Sequence, residues 1–94
     1  MDRMTALQAR IQDKKLDGFF VTDTKNVTYL TGFTGEESTL LVTPQKAYFV
    51  TDSRFTEQFK QQVHNAEMIL HQDSMFKAVG KLANRLQLTR IGFE

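Results

Sequence analysis

Residues 39–51, TLLVTPQKAYFVT, constrain the fold most. Two short runs rich in β-branched and aromatic residues flank TPQK, where Pro44 takes the second turn position that its fixed φ suits. The pattern predicts a β-hairpin, and a chain that commits its centre to adjacent strands folds around a sheet.

The segments on either side of the hairpin change period. Met4, Leu7 and Ile11 recur at helical spacing, which predicts an amphipathic helix from Asp2 to Lys15 with Asp2 near its start. Gly18 opens the next element, and FFVT reads as a buried strand that stops at Asp23. Asp23 or Thr24 then caps a short helix carrying Val27 and Leu30 on one side, and Gly32 stands where a left-handed C-terminal residue is wanted. Beyond the hairpin, Asp52 or Ser53 caps a helix with Phe55, Phe59 and Val63 on one face. AEMIL is a further strand. Ser74 begins a last helix with Met75, Val79, Leu82 and Leu86 toward the core, in which Gly80 costs about 1 kcal/mol relative to alanine. RIGFE is strand-like. FVTD occurs at 20–23 and again at 49–52, which reads as one strand end and helix cap used twice rather than as a functional repeat. The expected class is α/β.

With 94 residues the chain makes one domain, able to bury about two thirds of its unfolded surface. It has no cysteine, which removes disulfides and thiolate metal sites and is compatible with a reducing cytoplasm. Twelve basic residues against eleven acidic ones leave a charge of +1 with the signs interspersed, so nucleic acid is not an expected partner. The apolar runs are short and the opening MDRMTALQAR lacks the apolar stretch of a signal peptide, so neither is a membrane.

Chemistry is sparse. His64 and His71 flank NAEMIL without the helical spacing of a zinc-binding pair. His64 reads as a stabiliser of terminal helix carbonyls, and His71 as a half-exposed residue after a strand. Glu36 and Glu37 are adjacent, so in extended backbone they point to opposite faces and make no acid and base pair. Asp23 and Asp52 lie at strand ends, where capping explains both. GFTG precedes a strand where a phosphate loop precedes a helix, and serine nucleophile signatures are absent. These residues describe an α/β domain without a self-contained active site.

Four motifs in order, NVTYLTGFTG, TLLVTPQKAYFVTD, SRFTEQ and IGFE, resemble the amino-terminal domain of the creatinase, prolidase and aminopeptidase P family, nearest its bacterial Xaa-Pro dipeptidases and aminopeptidases. The resemblance implies a mixed β-sheet flanked by helices, of ribonuclease-H-like type, ahead of a pita-bread catalytic domain. Residues 1–94 are then expected to be a fragment ending at the domain junction. In the family the second domain carries two divalent metal ions, often manganese, on two aspartates, one histidine and two glutamates, and none of these is expected in this segment. The whole protein is expected to be a cytoplasmic peptidase that cleaves the bond before proline in dipeptides or longer peptides. A homo-oligomer is expected, in which this domain adds subunit contacts. A noncatalytic binding module and a creatine amidinohydrolase are the alternatives.

The resemblance also assigns the loop Phe33, Thr34, Gly35, Glu36, Glu37 and Ser38 as a wall of a neighbouring subunit's active site. Phe33, between Gly32 and Gly35, either covers the substrate's proline ring or packs into its own domain, and the flanking glycines allow close backbone approach. Arg54 follows a strand at the first turn of a helix, where a cation gains nothing from the dipole. A salt bridge with Asp52, or with a carboxylate across an interface, accounts for it more simply than recognition of a substrate carboxylate, which arginine's fork also suits.

Overall fold

The computed structural model describes residues 2–94. Five strands, β1 (Gly18–Val21), β2 (Thr39–Val42), β3 (Ala47–Thr51), β4 (Glu67–Leu70) and β5 (Ile91–Phe93), form one sheet in the order β4-β3-β2-β1-β5. The hairpin pairs β2 with β3 antiparallel, from Thr39 opposite Val50 to Val42 opposite Ala47, and β1 runs antiparallel to β2. The two outer pairs, β3 with β4 and β1 with β5, are parallel. Parallel neighbours need long connections. Helix α3 (Thr56–Gln62) lies in the link between β3 and β4, while α2 (Thr24–Thr31) joins β1 to β2.

Helices cover both faces of the sheet. Met4 and Ile11 of α1 (Arg3–Asp13), Val27 of α2 and Phe59 of α3 pack with Val21, Leu40, Val42 and Phe49 on one face. Val79 and Leu82 of α4 (Met75–Arg85) pack with Leu41, Tyr48 and Val50 on the other. Two-sided cover is why every residue of β2 and β3 is buried, and why both strands read as continuous apolar runs in place of an alternating pattern.

The polar residues at the element ends behave as caps. Asp2 accepts from the Thr5 amide at 2.8 Å, Asp23 from the Lys25 amide at 2.8 Å, and Ser74 from the Lys77 amide at 3.3 Å. Asp17 holds β5 beside β1: its carboxylate accepts from the amides of Thr89 and Arg90 at 2.8 and 2.9 Å and from the Thr89 hydroxyl. The Arg90 and Thr89 amides draw its pKa down to about 2.

One expected element divides. The helix anticipated from Asp52 or Ser53 is a 3-10 turn, Ser53–Phe55, followed by α3. The Asp52 carboxylate caps this turn through the Arg54 amide, and Phe55, at φ −109° and ψ 11°, departs from α-helical angles and separates the turn from α3. His64 lies past the C-cap of α3, Val63, in an exposed position.

Candidate functional site

The loop between α2 and β2 starts from a fixed geometry. Gly32 caps α2 at φ +82°, a region that favours glycine, and its amide donates to the Thr28 carbonyl at 2.8 Å. Phe33 follows with its side chain 0% exposed. The ring meets Phe49 with centroids 4.7 Å apart and Phe55 at 6.0 Å, both edge-on. Of the two readings, the structure takes the core one: Phe33 packs into its own domain and presents no face to a ligand. The cause lies one turn of the loop away. A Cβ at residue 35 would stand 2.6 Å from Phe33 Cε2 and 2.9 Å from Cζ, so the bare backbone of Gly35 lies over the ring and closes it in.

The backbone around the ring is tied down at several points. Thr28 Oγ1 donates to the Phe33 carbonyl at 2.6 Å, and the Phe33 amide donates to Thr31 Oγ1 at 3.1 Å. The Thr34 amide donates to Gln62 Oε1 at 3.0 Å, while the side-chain amides of Gln58 and Gln62 donate to Thr34 Oγ1 at 3.2 and 3.1 Å. Downstream, Ser38 and Thr39 are buried. Thr34 is exposed, Glu36 and Glu37 form the exposed tip, and Glu37 adopts φ +57°, a left-handed conformation that costs a residue other than glycine about 1 kcal/mol.

Arg54 meets that tip. Its Nε donates to Asp52 Oδ1 at 2.9 Å, its Nη2 to Asp52 Oδ2 at 2.7 Å, and the same Nη2 pairs with the Glu37 carboxylate. The guanidinium also lies 5.2 Å from the Phe55 ring centroid. The Arg54 guanidinium holds the Asp52 carboxyl down to about 2, with lesser contributions from the Arg54 amide and from His71. In return Asp52, and then Glu37, hold Arg54 above its ordinary range. The salt bridge to Asp52 anticipated from the sequence is present. Its partner across the hairpin, Glu37, is a residue that local spacing did not connect to Arg54. The connection follows from register: Thr39 opposite Val50 brings the residues before β2 beside those after β3.

A cleft of about 440 Å³ opens beside Arg54, lined by Asp52, Ser53, Leu70, His71 and Gln72. The His71 amide extends the strand pairing to the Thr51 carbonyl at 2.9 Å, and both imidazole nitrogens are screened without a protein partner. The cleft therefore offers the Arg54 guanidinium to a polar ligand, while the His71 nitrogens stay screened from it. Among the described residues no group of three or more His, Cys, Asp and Glu side chains is placed to hold a metal ion. Asp23 caps α2, Asp52 and Glu37 hold Arg54, and Glu94 accepts from the Thr22 and Asp23 amides at 2.6 Å. These acids do not fit a two-metal centre. Nor is a helix of the described residues long and apolar enough to cross a membrane.

Known proteins match this architecture from end to end. The family model described as Creatinase/Prolidase N-terminal domain matches residues 3–94, and the chain belongs to that family. It is 39% identical over 79 residues to the uncharacterized peptidase YqhT of Bacillus subtilis (strain 168), an alignment covering 84% of this chain and 22% of the relative. Among solved structures, an Xaa-Pro dipeptidase from Bacillus anthracis superposes with a TM-score of 0.89 at 27% identity, over 97% of this chain and 26% of that one. The N-terminal domain of the cytoplasmic peptidase PepQ from Mycobacterium tuberculosis H37Rv gives 0.88 at 30% identity, over 98% of this chain and 72% of that one. The chain thus spans about a quarter of the length of the full-length dipeptidase and less of the curated relative.

Proposed function

We propose that this chain is the noncatalytic amino-terminal domain of a metal-dependent peptidase that hydrolyses the bond before proline. The observation that carries the reading is the superposition of nearly the whole chain on about a quarter of an Xaa-Pro dipeptidase. Two divalent ions, manganese in this reading, belong to the remainder of the protein, where they supply the activated water. The protein works in the cytoplasm on proline-containing dipeptides or short peptides.

Within a homo-oligomer the domain contributes subunit contacts and a wall to a neighbouring active site. The wall is made by Thr34, Gly35, Glu36, Glu37 and Arg54, with the buried Phe33 and Ser38 as the support beneath it. The support for this division is burial: Phe33 is enclosed, whereas Glu36, Glu37 and Arg54 face outward.

The test is hydrolysis of an Xaa-Pro dipeptide by the natural-length protein containing this segment, before and after chelation and with manganese restored. Activity lost on chelation and regained with the metal supports the reading. A natural-length protein that stays inactive with every divalent ion, yet retains peptide binding, supports a noncatalytic binding module instead.

A further inference from the structure

Arg54 is a held cation with donors to spare. Asp52 takes its Nε and Nη2 side and also the Arg54 amide, three bonds that fix the guanidinium in place. Glu37 shares Nη2, and Nη1 has no protein partner among the described residues. A guanidinium fork matches the two oxygens of a carboxylate, and the side chain here is 64% exposed. Besides Asp52, a second carboxylate already occupies part of the guanidinium, and it belongs to the loop tip. Glu37 reaches Arg54 from a left-handed backbone conformation, between a stretch pinned to α3 at Thr34 and a stretch buried from Ser38 onward. An ion pair between two such exposed side chains is weak and easily exchanged.

We propose that Glu37 is a resident competitor: a ligand bearing a free carboxylate displaces it from Arg54, and the tip at Glu36 and Glu37 rearranges as the ligand binds. Asp52 stays in place during the exchange because, besides the Nη2 that Glu37 shares, it holds Nε and the Arg54 amide. The adjoining cleft of about 440 Å³, lined by Arg54 with Asp52, Ser53, Leu70, His71 and Gln72, has the size of a small-molecule site. The chemical class of ligand is a small carboxylic acid or a peptide with a free C-terminus. The proposal rests on the peptidase reading only for the natural source of that carboxylate, the C-terminal group of an Xaa-Pro dipeptide.

The experiment is a titration of the isotope-labelled chain by nuclear magnetic resonance, following the Arg54 Nε–H signal and the amides of Gly35 and Glu37. Acetate, the dipeptide Ala-Pro and its C-terminal amide are added at ionic strength held constant with sodium chloride. Saturable shifts at all three positions with acetate and Ala-Pro, in the millimolar range, and none with the amide are expected. E37Q removes the competitor and is expected to tighten both affinities by about two- to fivefold. R54K keeps the charge but not the fork and is expected to abolish the response, with the rest of its spectrum confirming the fold. A flat titration with both carboxylates overturns the proposal, as does an equal response to the amide, or unchanged affinity in E37Q. A response to acetate alone upholds the displacement and overturns the peptide as its source. Failure here leaves the peptidase reading standing on metal-dependent hydrolysis by the natural-length protein. Failure of that reading leaves the acetate result intact.

Discussion

The ring of Phe33 lies against the backbone of Gly35, so closely that a single added methyl group at residue 35 would fall 2.6 Å from Cε2. The pair forms one packing unit. Gly35→Ala forces the enclosed ring to move and is expected to cost about 1–3 kcal/mol. Phe33→Ala leaves a cavity beside Phe49 and Phe55 and is expected to cost about 3–5 kcal/mol. In the double variant the new methyl enters the vacated space, so the combined loss should be clearly smaller than the sum. Urea unfolding of the four proteins measures this, and strict additivity would separate the two residues.

Acid sensitivity should centre on two carboxylates. Asp52 and Asp17 both have folded pKa values of about 2 against an ordinary 3.8, Asp52 through Arg54 and Asp17 through the Arg90 and Thr89 amides. A depressed pKa gives stability that is complete above the ordinary value and is lost as pH falls through the folded one. Stability is therefore expected to fall between about pH 4 and about pH 2. Asp52→Asn and Asp17→Asn should lie below the parent near neutral pH and converge on it toward pH 2. Urea midpoints across that range show whether the curves meet.

Gly80 sits in α4, exposed, and a Cβ there meets nothing within 4 Å. Gly80→Ala should stabilise the chain by about 1 kcal/mol through helix propensity alone. For a domain of this size that is a rise in Tm of about 4–8 °C. Thermal unfolding followed by circular dichroism reads it directly, and an unchanged or lower Tm would contradict the open environment at residue 80.

Glu36 is exposed at the loop tip and has no ion pair in the structure. Glu36→Ala should leave the unfolding midpoint of this chain unchanged within about 0.5 kcal/mol. In the natural-length protein the same change should alter KM for Xaa-Pro substrates, since the tip forms part of the proposed wall. Steady-state kinetics on a dipeptide and a longer peptide check it, and identical constants for both would remove Glu36 from the wall.

The elements were legible because their signals are local. Pro44 in the turn, the helical spacing of Met4, Leu7 and Ile11, and the caps at Asp2, Asp23, Asp52 and Ser74 each act within a few residues, and the structure uses all of them. What stayed hidden depends on the third dimension. Phe33 could not be assigned to the core until Gly35, Phe49 and Phe55 were seen to enclose it. Glu37 and Arg54 meet only through hairpin register, and Gln58 and Gln62 look like solvent-facing helix residues until Thr34 comes down on them. The division at Ser53–Phe55 is hidden in the sequence because Phe55, Phe59 and Val63 keep the spacing of one continuous helical face.

The proposed function places the active site outside residues 1–94. Its most direct test is turnover of an Xaa-Pro dipeptide by the purified 94-residue chain with manganese present, alongside the natural-length protein. The account requires hydrolysis by the longer protein and none by the chain alone. Hydrolysis by the chain that survives repeated purification away from longer species would contradict it.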